Sequence, residues 1–298
     1  MNTELYKIRS FSSCISVAYE IYINNIKTIL RKTWLPALLF SVSSAIAIIL
    51  SYYGITFLQS APTPIHTTII ATLCLTILFC LLSAGSRLWF DTIIIALLGN
   101  TSVKSKLPRI IRLTVVMLAI GLTVGITSIA VNFIPAISIM QTESTKTLPV
   151  PIIITFIIYI ALGIATIPLL YSSMKYIMET ENKLSSIIGN SYRIGWKHWG
   201  YIFMLSLLVC IILSIVYFIV SLPATISFTA FMANTGSMTL GDASNLPEYF
   251  KILTWLASIV SSFILIYAEA WFIIVLYYAY GHIEAKEKAK KEQFPVIK

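Results

Sequence analysis

Glu269 lies about midway between Lys251 and His282, inside an apolar stretch that runs from Ile252 to Tyr280. An ionised carboxylate in the middle of such a stretch costs roughly 3 kcal/mol or more unless it is paired or neutralised, so it marks a site before any fold is known. Two arrangements satisfy it. Either Glu269 faces the interior of a helix bundle, where it takes up a proton or cation or hydrogen-bonds as a neutral acid to hydroxyls such as Tyr171, Ser172 and Ser173. Or the span slides along the membrane normal, which puts Trp271 at the interface and Glu269 near water.

Arg87 and Asp91 are four residues apart. That spacing sets opposite charges on one helical face, and an interfacial pair anchoring a helix end is the simplest reading. Gly121 and Gly125 form a GxxxG pattern, and Ser41 with Ala45 and Ala161 with Ala165 repeat small residues at the same interval. Such ridges let helices approach closely, within one chain or between two copies in a homodimer. Pro168 falls inside one apolar run and Pro223 at the expected end of another. Each bends or ends a helix.

Known catalytic inventories do not fit. The three histidines, His66, His198 and His282, are scattered and no H-E-x-x-H occurs. There is no G-x-S-x-G elbow, Walker A loop or G-x-G-x-x-G. The expectation is therefore a non-enzymatic chain with no catalytic residues, no cofactor and no metal site. Cys14 precedes the first apolar run and Cys74, Cys80 and Cys210 lie inside such runs. That distribution implies no disulfide framework.

The elements that must position these residues follow from composition. Of 298 residues, 58% are hydrophobic and 11% charged, and the mean hydropathy is +0.87. Ordinary soluble domains carry about 25% charge, so this chain is solvated by lipid. Six runs approach or exceed the length a membrane-spanning helix needs. They are Trp34 to Leu58, Ile65 to Leu82, Leu113 to Ile134, Val150 to Tyr171, Trp199 to Leu222 and Ile252 to Tyr280. Their apolar residues are contiguous instead of alternating, which excludes a β-barrel reading. The fold class read from this is all-α, polytopic, with six transmembrane helices in a single membrane domain over 1–298.

Lys and Arg fix the expected orientation, because basic residues stay preferentially on the cytoplasmic side. Nineteen of the 21 fall in the N-terminal segment, the second and fourth connections and the C-terminal tail; only Lys146 and Lys251 lie in the opposite connections. Both termini are then cytoplasmic, and the setting expected is a bacterial inner membrane. The lead before Trp34 is too long for a secretory signal peptide, so the first span reads as a retained anchor. The net charge is +9, and basic residues occur near Trp89, Trp196 and Trp199. Positive-inside placement accounts for both, so nucleic acid is not an expected partner. The lipid bilayer is, together with a membrane-protein partner.

Three segments before odd-numbered spans carry apolar residues at helical spacing. Ile8, Phe11, Ile15, Ala18, Tyr22, Ile26 and Ile29 form one face, and Leu184, Ile187, Ile188, Tyr192, Trp196 and Trp199 another. Helices lying along the headgroups have this pattern. Leu88 to Leu98 either lies likewise or extends the second span. A unit of interfacial helix, span, loop and span would then repeat over 1–83, 84–178 and 179–285, leaving a charged tail at 286–298. Leu97-Leu98-Gly99-Asn100-Thr101 and Ile187-Ile188-Gly189-Asn190-Ser191 are echoes of each other at corresponding places. They read as a repeated helix stop, with or without duplication.

The amphipathic N-terminus, the stretch Ser191-Tyr192-Arg193-Ile194-Gly195-Trp196-Lys197-His198-Trp199 and the run from Leu276-Tyr277-Tyr278 to Glu284 resemble bacterial six-helix membrane families of unknown function. These include YciC-type proteins and the membrane domain attached to some glycerophosphoryl diester phosphodiesterases. The resemblance implies a multi-pass membrane protein and supplies no catalytic residues; interfacial helices, the lack of a catalytic constellation and one lone buried acid point to a non-enzymatic role in envelope or lipid homeostasis or as a scaffold. A small transporter or channel working through Glu269, or a lipid-modifying enzyme, are the alternatives.

Overall fold

The computed structural model describes residues 5–60, 66–141, 149–239, 241, 246–247 and 249–293. Eight α-helices account for nearly all of them: α1 (Phe11–Asn24), α2 (Ile26–Ser60), α3 (His66–Leu98), α4 (Val103–Gln141), α5 (Pro149–Met178), α6 (Asn190–Lys197), α7 (Trp199–Thr239) and α8 (Tyr249–Gln293). A 3₁₀ turn, Leu184–Ile187, precedes α6, and no strand occurs among the described residues. Six helices, α2, α3, α4, α5, α7 and α8, are long and apolar enough to cross a membrane. The chain is thus an all-α, multi-pass membrane protein.

Most of the spans are longer than the apolar runs suggested. The helix α8 has 45 residues. It reaches about 67 Å at about 1.5 Å per residue, well beyond a hydrocarbon core of about 30 Å. Leu88 to Leu98 extends the second span: α3 is unbroken to Leu98, so Ser83, the expected repeat boundary, falls inside it. The second connection shrinks to residues 99–102, and Lys106, Arg109 and Arg112 belong to α4 instead. Once a helix has formed, each added residue gains a backbone bond at little further cost, so a few charges do not stop it. Pro223 likewise lies within α7 and not at its end.

The segments expected along the headgroups are shorter or broken. In the first, α1 stops at Asn24, whose neighbour Asn25 caps the preceding turn through Nδ2 to the Ile21 carbonyl, 2.9 Å. Its buried face is Cys14, Ala18 and Ile21, rotated from the stripe read in sequence; Ile8 stays 58% exposed. In the third, the 3₁₀ turn and the eight residues of α6 replace one continuous helix, burying Ile187 and leaving Ile188 and Trp196 outside. The two sequence echoes differ as well. Asn100 takes a left-handed φ of 49° to stop α3, whereas Asn190 opens α6.

The described chain forms two compact units, Ile15–Asn100 with Leu207–Val275 and Asn2–Cys14 with Thr101–Ser206 and Leu276–Lys298. In the first, α2 packs along α3. Ala37, Ser41 and Ala45 recur every fourth residue of α2, all 1% exposed or less, and Ser41 Oγ is absorbed by the Ala37 carbonyl at 2.7 Å. This is a small-residue ridge used for close helix contact. Gly121 and Gly125 are not: a Cβ on either would meet nothing within 4 Å among the described residues. Gly121 instead lines an open apolar groove of about 480 Å³ with Met117, Leu170 and Ser173.

In the second unit α5 packs against α4 and α6. Pro168 has no N–H, which leaves the carbonyl of Ile164, four residues earlier, without its helical donor. Trp199 Nε1–H donates to that carbonyl at 3.2 Å, and Tyr192 Oη donates to the neighbouring Ala165 carbonyl at 2.8 Å. Gly195 makes room for this clamp, since a Cβ there would stand 2.8 Å from the Pro168 carbonyl oxygen. Tyr192, Gly195 and Trp199, conspicuous in the sequence, are thus the partners of a proline-containing helix. In α7, near Pro223, Ser261 Oγ donates to the Val220 carbonyl at 2.9 Å, one residue past the Ile219 carbonyl that the proline leaves without a helical donor.

Gly195→Ala should lower the midpoint of thermal unfolding in detergent, by the order of 1–3 kcal/mol that overpacking against fixed backbone costs. A sharper check is a cycle: Trp199→Phe should destabilise the native chain yet cost less in a Pro168→Ala background, where the Ile164 carbonyl regains a backbone donor. Equal costs in both backgrounds would remove the clamp.

Candidate intramembrane ion cluster

Within the first unit, Arg87 projects from α3 and Glu269 from α8, and the two meet. The Arg87 Nη1–H donates to Glu269 Oε2, while its Nε–H donates to Asp91 Oδ1 at 3.1 Å and to Oδ2 at 3.2 Å. Helical geometry sets the second contact, since residues four apart stand one above the other on a helix. The guanidinium also lies 5.9 Å from the ring centroid of Phe40 of α2. The side chains of Arg87, Asp91 and Glu269 are 27%, 23% and 26% exposed, so most of each is enclosed by protein.

The surroundings are aromatic and hydroxyl-bearing. Tyr267, two residues before Glu269, packs edge-on against Phe90 with centroids 5.5 Å apart. Its hydroxyl accepts from Thr33 Oγ1 at 3.2 Å, and its carbonyl accepts from Tyr22 Oη at 3.1 Å. Tyr22 lies in α1, outside the spans, and burial pushes its hydroxyl up to about 12. It stays protonated and keeps donating at every physiological pH. Trp271, the residue that would mark an interface if the span slid, is 8% exposed, and its Nε1–H has no hydrogen-bond partner among the described residues.

Charge counting gives the cluster its chemistry. Arginine keeps its proton under all ordinary conditions. Two carboxylates facing one guanidinium therefore carry a surplus negative charge when both are ionised, and such charge is costly in lipid. Removing Arg87 would strand both acids, the kind of uncompensated burial that costs about 3–5 kcal/mol.

Glu269 and Arg87 were each conspicuous in the sequence, but 182 residues separate them and only the structure joins them. A signal was present, because apolar spans carrying one acid and one Arg–Asp pair have few ways to neutralise the acid. The hydroxyls expected to serve Glu269 belong to the second unit and have other partners. Tyr171 Oη donates to Glu284, Ser172 Oγ to the Pro168 carbonyl at 3.1 Å, and Ser173 Oγ to the Leu169 carbonyl at 2.5 Å. The reason is local: a serine within a helix reaches its own i−4 carbonyl more easily than a distant acid.

The second unit has its own charged network. Lys175 Nζ donates to Glu284 Oε1 at 2.5 Å, Tyr280 Oη donates to Glu179 Oε1 at 2.8 Å, and His198 Nε2 is 2.8 Å from Glu287 Oε1. Lys106 Nζ donates to the Ile177 carbonyl at 2.7 Å, and Arg109 donates to the carbonyls of Tyr176, Glu179 and Thr180. These carbonyls lie at and just past the C-terminus of α5, which leaves its last acceptors unsatisfied and slightly negative. Cations from α4 close that end.

Arg87→Gln should destabilise the protein by a few kcal/mol, and Glu269→Gln by less, since the latter leaves the Arg87–Asp91 pair intact. The exchanged double variant Arg87→Glu/Glu269→Arg keeps one guanidinium among two carboxylates, and it should recover part of the loss in detergent melting. No recovery would mean that the two side chains are not energetically coupled.

In comparisons with known proteins, no family model, curated protein or solved structure matches this chain.

Proposed function

We propose that the chain is a non-enzymatic, multi-pass protein of a bacterial inner membrane, with both termini cytoplasmic, that serves envelope or lipid homeostasis or scaffolds a membrane complex. The observation that carries this reading is the use made of charge inside the spans. Arg87 ties α3 to α8 through Glu269, and Lys106 and Arg109 close the end of α5. Each of these side chains holds helices together, as a scaffold requires. Cytoplasmic termini are supported by the 19 basic residues on one side, because such residues resist translocation. The bacterial setting is supported by the resemblance in layout to six-helix families such as the YciC-type proteins.

A second reading has its own observation. Arg87, Asp91 and Glu269 form one cluster with a surplus carboxylate. A proton- or cation-coupled transporter or channel would keep such a group inside its spans. Purification in native nanodiscs, followed by mass spectrometry of retained proteins and lipids, separates the two. A stoichiometric protein partner or a specific lipid is expected. If neither is retained and proteoliposomes show a proton flux that Glu269→Gln abolishes, the transport reading replaces the scaffold. For orientation, reporters active only outside the cytoplasm should be active when fused after Ser144 and inactive after Lys291; the reverse pattern overturns it.

A further inference from the structure

A cavity of about 420 Å³ opens in the second unit beside the last turns of α8, lined by Tyr6, Glu179, Glu284, Glu287, Lys288 and Lys291. Its acids are held in fixed positions by their neighbours. Glu179 accepts from Tyr280 and from Asn182 Nδ2 at 2.7 Å, Glu284 from Lys175 and Tyr171, and Glu287 is engaged by His198. Lys288 and Lys291 form no ion pair among the described residues. Three residues apart, they share one face of α8. The cavity thus presents partnered carboxylates beside two lysines that form no ion pair among the described residues.

We infer that this cavity binds the phosphoethanolamine group of a zwitterionic phospholipid, the ammonium against Glu284 and Glu287 and the phosphate against Lys288 and Lys291. Charge pattern selects this chemistry over simpler ligands. A phosphate alone would meet the anchored carboxylates and be repelled, and a lone cation would leave both lysines unused. A group carrying both charges can pair with the acids and the lysines together. A primary ammonium donates three hydrogen bonds, and each carboxylate oxygen accepts more than one, so Glu284 and Glu287 can receive it without losing their present partners.

Position argues for a lipid over a free small molecule. The apolar run of α8 ends at Tyr280, and Glu284 follows about 6 Å further on at about 1.5 Å per residue. Each headgroup layer is about 5–8 Å deep, so Glu284 falls within it, and the side chains of Glu287, Lys288 and Lys291 lean back toward it because helical side chains tilt toward the helix N-terminus. The inference rests on the membrane placement proposed above and names the lipid that such a protein would hold.

The test uses the full-length chain in detergent with short-chain phosphatidylethanolamine, phosphatidylglycerol, phosphatidylcholine and free phosphoethanolamine as probes, read by native mass spectrometry and thermal shift. Phosphatidylethanolamine should bind best, with phosphatidylcholine weaker because its quaternary ammonium donates no hydrogen bond. The Lys288→Gln/Lys291→Gln variant should lose about tenfold or more in affinity, the scale of lost charge-assisted bonds. These exposed lysines can change without moving the ligand-free melting point. Glu287→Gln should weaken phosphatidylethanolamine but not phosphatidylglycerol. Equal or tighter binding of phosphatidylglycerol, or indifference to the lysine variant, overturns the proposal while leaving the scaffold reading intact. Free phosphoethanolamine binding as tightly as the lipid overturns the lipid assignment. Loss of every lipid together with failure to fractionate with membranes would instead defeat the membrane placement on which it rests.

Discussion

Lipid offers a peptide backbone no hydrogen-bond partner, and nearly every feature of this chain follows from that constraint. It makes helices the natural solution for the apolar runs and extends them past the points where composition alone would end them. The helix α3 shows this by continuing through Arg87 and Asp91 to Leu98. The constraint also makes a proline inside a span costly, so where one occurs the surrounding sequence must answer it. Pro168 is answered by Trp199 and Tyr192 acting on the carbonyls of Ile164 and Ala165, and by a glycine at 195 that lets α6 come close enough to do so.

The same solvent dictates how charge is arranged. A side chain that would be trivial on a soluble surface must find a counterpart here, and the counterparts come in two kinds. In the first unit a guanidinium is matched with carboxylates from its own helix and from another. In the second, cations of α4 are matched with backbone carbonyls at the end of α5. No full charge is needed there, because the helix terminus supplies partial ones. Lys106 is only 3% exposed, and two carbonyls replace the water that its ammonium would lose beside apolar residues.

Membrane class and six spans were legible because contiguous apolar length is a strong, one-dimensional signal. Glu269, Arg87 and Asp91 were legible as individual anomalies for the same reason. What joined them was not, since pairing of α3 with α8 depends on packing across 182 residues and leaves no local trace. The hydroxyls of Tyr171, Ser172 and Ser173 look like available donors in the sequence, as any serine or tyrosine in a helix does. Its own turn or a nearer acid has already claimed it. Small-residue ridges were equally ambiguous. Ala37, Ser41 and Ala45 are packed, while Gly121 and Gly125 face open space among the described residues, and spacing alone does not distinguish them.

Arginine, and not lysine, is the residue the cluster needs at position 87. It presents Nε–H toward Asp91 on its own helix and Nη1–H toward Glu269 on another. Those two directions are fixed by one rigid, planar fork. A lysine ammonium is a point charge that could approach either acid but would not hold both at set angles. Because the fork is shared, removing one carboxylate does not release the other: the remaining acid keeps its half of the guanidinium. Arg87 therefore ties α3 both to its own turn at Asp91 and to α8 at Glu269.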